Sequence, residues 1–216
     1  ADGMQLTQEC YQIQHSIGDV VGSAYSLCTL GHLCRSQKLY SEAFAYYQQG
    51  LEMAKEYGLQ VAMETCQYGL GWIHYELAAY EQARAYFESN LRLNQQREQQ
   101  SATGVAATSN GLAMVACAQG QYDEAQQHLQ RALHIAQTGG SVPLTLDILL
   151  SWAQLLWRQG QVEEARRLLL VVRKHPATKH AVREKATQLL TEPALERPYP
   201  GSFTAQQEQT NSIDEL

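Results

Sequence analysis

The chain has 216 residues, of which 44% are apolar and 18% charged, enough apolar side chain for a folded core and too little charge for a disordered chain. Its net charge of −6 excludes a dominant polyanion-binding surface, because phosphate neutralisation needs clustered Lys and Arg. Direct nucleic-acid binding is therefore not expected.

Residues 1–142 contain no Pro, since the five prolines stand at 143, 176, 193, 198 and 200, and this favours uninterrupted helices. In chain order, residues 1–18 read as a second helix of an incomplete repeat, because CYQIQHSIGD at 10–19 aligns with GLEMAKEYGL at 50–59, forty residues on. A hairpin with one helix missing leaves an apolar face open, so the chain reads as cut from a longer protein. Four similar units follow, at 19–58, 59–100, 101–140 and 141–175. Each carries an Ala (Ala43, Ala83, Ala125, Ala165) at spacings of 40, 42 and 40. Twelve residues before each stands a small residue (Gly31, Gly71, Ala113, Ala153), and four after it stands Tyr47, Phe87, Leu129 or Leu169. Small residues let helix backbones approach closely, so each unit is read as a pair of antiparallel helices. Gly120 and Gly160, in the short polar connections, supply left-handed helix stops. Residues 176–192 read as a capping helix after a Pro turn, with Val182, Ala186, Leu189 and Leu190 on one face. Residues 193–216 are polar, Pro-containing and aperiodic, and read as a flexible tail.

The pattern resembles the tetratricopeptide repeat (TPR). Leu30-Gly31, Leu70-Gly71, the four later alanines, the aromatic or Leu four places on and Ala132 carry the resemblance. The family's opening Trp is replaced by Leu27, Gln67, Ser109 and Leu149, and the usual repeat-ending Pro is absent. The resemblance implies an all-α fold, a right-handed α-solenoid with a period of about 40 residues, and partners bound on its concave face. Carrying over the family's groove positions gives Tyr25, Cys28, His32 and Arg35, then Thr65, Tyr68, Trp72 and Tyr75. Ala107, Asn110, Met114 and Cys117 follow, and then Asp147, Leu150, Gln154, Trp157 and Arg158. Rings would bury apolar side chains, Asn110 would pair with a peptide backbone, and Arg35 or Arg158 with a carboxylate. The alternative is that the rings fill gaps between long helices. A clamp for acidic C-terminal tails is not expected, because its several Lys and Asn positions are not present. Outer-face residues such as Glu42, Arg84, Glu124 and Arg166 read as solvated surface.

Gly18-Asp19, Ala24, Leu30-Gly31 and Glu42-Ala43 also resemble the long repeats in the C-terminal sensor arms of bacterial signalling regulators, the signal-transduction ATPases with numerous domains and the related antibiotic-regulator and maltose-regulator activators. That resemblance implies signal transduction or transcription regulation, exerted through a switch domain outside this chain.

Phosphate loops, dinucleotide fingerprints, HExxH and GxSxG are absent from the sequence, so no enzyme and no cofactor are expected. The seven His and five Cys show no metal-ligand spacing. Cys10, Cys28, Cys34, Cys66 and Cys117 contain no CxxC, and an odd count suits a reducing cytoplasm. No apolar run reaches the roughly 18 residues of a membrane span, and ADGMQLTQEC lacks a signal peptide's features. The expected role is binding of a protein, a peptide or a small inducer. The alternative is a scaffold that self-associates through its open N-terminal edge into a homo-oligomer.

Overall fold

The computed structural model describes residues 3–96 and 101–191. They form ten helices and no strand: α1 (Gly3–Ser16), α2 (Val20–Ser36), α3 (Tyr40–Glu56), α4 (Gln60–Glu76), α5 (Tyr80–Gln96), α6 (Ala102–Ala118), α7 (Tyr122–Thr138), α8 (Val142–Arg158), α9 (Val162–Lys174) and α10 (His180–Thr191). The chain is an all-α solenoid. Each helix from α2 to α8 is 17 residues long. Between most of them lie three residues, so two helices and two connections make the forty-residue period. Among the described residues no helix is long and apolar enough to cross a membrane. The tail at 193–216 lies outside the described residues.

The connections share one geometry. The second residue of each three-residue connection takes positive φ, at Gly18, Lys38, Gly58, Ala78, Gly120, Gly140 and Gly160. The next N–H then donates back to a carbonyl in the last turn, as in Leu39 N to Cys34 O at 2.9 Å and Gln121 N to Ala116 O at 2.9 Å. This Schellman-type closure satisfies carbonyls the helix leaves open. Gly120 and Gly160 act as the sequence suggests, while Lys38 and Ala78 hold the same conformation with a Cβ.

Packing explains the small residues. Tyr47 of α3 lies between Gly31 of α2 and Gly69 of α4, where an added Cβ would stand 2.8 Å and 2.2 Å from its ring. Phe87 of α5 lies likewise between Gly71 and Gly111, at 2.7 Å from each such Cβ. In the next unit the corresponding places hold Ala113, Ser151 and the smaller Leu129. Glycine pairs with an aromatic wedge, and a Cβ pairs with Leu, so the inter-helix volume is conserved.

Even-numbered helices pack on one another across units, α2 on α4, α4 on α6, α6 on α8 and α8 on α10, while the odd-numbered helices show no comparable mutual packing. The even row is therefore the inner, concave layer. Contrary to the solvated reading, Arg84 and Glu124 join neighbouring units: Nη1 lies 2.5 Å from Oε1, and Arg84 also donates to Gln119 and Gln121. At the other end α1 buries no residue, and its Leu6 and Ile13, with Ile17 just after it, are 65%, 62% and 71% exposed.

Candidate binding groove

The inner row encloses a cavity of about 640 Å³ lined only by even-numbered helices. Arg35 comes from the end of α2, Tyr68, Trp72 and Tyr75 from one face of α4, Asn110 and Met114 from α6, and Gln154, Trp157 and Arg158 from α8. Eleven of the seventeen groove positions carried over from the family thus meet around one space. Tyr25 and His32 do not line it. Both are on α2 and exposed, because α2 contributes only its C-terminal end to the wall. The imidazole of His32 is held below its ordinary pKa by partial desolvation and by the charges of Arg35 and Lys179.

The ring cluster serves two surfaces. Trp72 meets Tyr75 edge-on at 5.4 Å and Phe87 at 5.6 Å, and Tyr68 meets Trp72 at 6.1 Å. Trp72, Tyr68 and Tyr75 pack against the buried Phe87 and line the cavity with what remains. Groove lining and gap filling are therefore the same residues in two capacities, which one face of a half-buried helix allows.

Both arginines already have partners. Arg35 Nη1 lies 2.6 Å from Glu76 Oε1, and Arg158 Nη1 donates to Cys117 O at 2.9 Å. Burial raises the Glu76 carboxyl pKa despite the opposing pull of Arg35. The arginine–carboxylate role read from sequence is thus occupied, for Arg35, by a carboxylate of this chain. The neutral polar groups differ. Asn110 is 6% exposed and its Oδ1 is buried with no partner, as is Asp147 Oδ1, whose Oδ2 accepts from Lys179 Nζ at 2.8 Å. An unmet buried acceptor costs about 1–3 kcal/mol, and the Asn110 residue that carries this one belongs to the cavity lining.

Sequence reasoning missed α10 as part of the site. Ala181, Val182, Lys185 and Leu189 complete the wall, because the curvature of the inner row brings α10 opposite α2 and α4. A neighbouring cavity of about 400 Å³ shares Tyr68 and is lined by Thr65, Asn90, Asn94, Ala107 and Lys179 among others. There Asn90 is paired at both polar atoms, donating to Glu64 O at 2.5 Å and accepting from Thr108 Oγ1 at 2.7 Å. Among the described residues no group of three or more His, Cys, Asp or Glu could hold a metal ion.

The family model described as the MalT-like TPR region matches residues 1–189. No curated protein matches the sequence. Among solved structures, BtubC (BKLC) from P. vanneervenii superposes with a TM-score of 0.66 at 14% identity, over 87% of this chain and 80% of that one. A putative kinesin light chain with nearly identical TPR-like repeats from Podosopora anserina gives a TM-score of 0.55 at 19% identity, over 88% and 93%. At these identities the likeness establishes the repeat fold alone.

Proposed function

We propose that this chain, which belongs to the MalT-like TPR family, is a non-catalytic binding module that takes a peptide or a small inducer into the cavity of its inner face. The observation that carries the reading is one cavity of about 640 Å³ walled by Tyr68, Trp72, Tyr75 and Trp157, with Asn110, whose Oδ1 is buried and unpartnered, in its lining. Rings offer apolar area at low entropic cost, and a few polar groups among them align an amide or hydroxyl donor. In this reading the module is the regulatory arm of a larger bacterial signalling or transcription regulator working in the cytoplasm. Ligand binding biases the switch domain to the extent that affinity differs between its two states.

Selection from a displayed random-peptide library tests it, with Asn110→Leu and Gln154→Ala as comparisons. Removing the Asn110 oxygen takes away an unpaired buried acceptor and creates none, so folding holds while selected peptides lose at least about tenfold in affinity, roughly 1.4 kcal/mol. Peptides that bind both variants as tightly as the parent would place the site elsewhere.

One observation favours a second reading, self-association. Leu6 and Ile13 of α1 and Ile17 just after it form an exposed apolar stripe with no covering element among the described residues. Light scattering across concentration decides it: a dimer abolished by Ile13→Lys supports a scaffold, and a persistent monomer rules it out.

A further inference from the structure

Away from the cavity lining, two thiols meet where α2 crosses α4. Cys28 Sγ and Cys66 Sγ lie 3.2 Å apart, hydrogen-bonded, in side chains 4% and 0% exposed. Gly50 of α3 backs the pair, since a Cβ there would stand 3.0 Å from Cys66 Sγ. Bare backbone on that side holds the two sulfurs against each other. The remaining cysteines stand apart: Cys34 and Cys117 are buried without a thiol neighbour, and Cys10 is exposed. The α2–α4 crossing also carries the Arg35–Glu76 ion pair, so it is the joint between the first two units and one wall of the cavity.

The two sulfurs are not equivalent. The hydrogen bond from Cys66 lowers the Cys28 pKa against the opposing effect of burial, and the same bond together with burial raises that of Cys66. Of the two, Cys28 is therefore the sulfur more readily deprotonated, and thiolate is the form that reacts with oxidants.

We propose that Cys28 and Cys66 are a peroxide-sensitive dithiol whose oxidation locks α2 to α4. The Cys28 thiolate attacks one oxygen of hydrogen peroxide, the O–O bond breaks, and the departing hydroxide takes up a proton to become water, leaving Cys28 as a sulfenic acid. The Cys66 sulfur then attacks the Cys28 sulfur, and the sulfenic hydroxyl leaves with the Cys66 proton as a second water. Two thiols and one hydrogen peroxide give one disulfide and two waters, the thiols oxidised and the peroxide reduced. A small oxidant suits a residue that is only 4% exposed. The link holds the unit bearing Arg35 in a fixed orientation to the unit bearing Tyr68, Trp72 and Tyr75, and it forms whether or not the cavity binds a ligand.

The test is peroxide treatment of the folded chain, with Cys10→Ser as background, followed by alkylation and peptide mapping. The expected result is loss of two titratable thiols, a peptide pair joined through Cys28 and Cys66 that dithiothreitol separates, and Cys34 and Cys117 still alkylated. Cys66→Ser should leave a sulfenic acid on Cys28 that dimedone traps, and Cys28→Ser should give neither product. The proposal is overturned if Cys28 and Cys66 both stay free at peroxide levels that oxidise Cys10 of the parent. It is equally overturned if the link forms only once circular dichroism shows the helices lost.

Discussion

Gly111→Ala is the substitution in which helix propensity and packing give opposite signs. Alanine in a helix interior is favoured over glycine by about 1 kcal/mol. The added Cβ, however, would stand 2.7 Å from Cε1 of Phe87, a ring that is 0% exposed and confined by Gly71 on its other side at the same distance. The ring has no direction in which to retreat, and overpacking of this kind costs about 1–3 kcal/mol. The net expectation is a loss of up to about 2 kcal/mol, or about 2–4 °C in melting temperature per kcal/mol for a chain of this size. Phe87→Leu alone should cost a further cavity term of about 1–2 kcal/mol. The double variant should lose less than the sum, with a coupling of about 0.5–3 kcal/mol, because on the side of position 111 it restores the pairing that Leu129 makes with Ser151 in the next unit. Urea and thermal unfolding followed by helical circular dichroism measure all three. A stabilised Gly111→Ala, or strict additivity in the double variant, would falsify the wedge account.

Three further outcomes follow from particular contacts. Lys38→Gly and Ala78→Gly relieve positive φ values of 62 and 58 and should each stabilise by up to about 1 kcal/mol, the left-handed strain less the added freedom of the unfolded chain. A lower melting temperature in both would contradict the turn analysis. Arg84 holds the Glu124 carboxyl below its ordinary pKa, chiefly by hydrogen bonding. A lowered carboxyl pKa adds stability that is fully present above the ordinary glutamate range and lost as pH falls through the folded value. Arg84→Met should therefore cost less than about 1 kcal/mol near neutrality, the pair being partly exposed, and should flatten the fall in urea midpoint below about pH 4.5. An unchanged acid-side slope would count against that coupling. Glu76 is shifted upward by burial, so its ionisation opposes folding as pH rises through the raised value. Acidification below that value favours the folded form at this site, and Glu76→Gln should cost less stability at neutral pH than Glu124→Gln, with equal losses refuting the assignment.

Much of this architecture was legible because the repeat writes its packing into residue size. Gly31, Gly71, Ala113 and Ala153 with their partners Tyr47, Phe87, Leu129 and Leu169 fix both the helix pairing and the period. The α4 face of Tyr68, Trp72 and Tyr75 was legible for the same reason, since residues three and four apart share a helix face. Less accessible were features that depend on curvature. Lys185 and Leu189 reach the cavity only because the inner row bends α10 toward α2 and α4, a juxtaposition no local spacing encodes. Pairing across units escaped as well: Arg84 with Glu124 and Cys28 with Cys66 are about one period apart, where each residue read alone is a surface charge or a small buried thiol. Tyr25 and His32 show the converse, since their position in the repeat is equivalent to groove positions while α2 offers the cavity only its last turn.

The central claim is that ligands enter the inner face, and hydrogen–deuterium exchange with a selected peptide tests it most directly. The account predicts slowed exchange in α4, α6 and α8, led by 68–76, 110–117 and 150–158, with α3, α7 and α9 unchanged. Protection confined to α1 or to the odd-numbered helices, with the inner row exchanging as in the free chain, would contradict it.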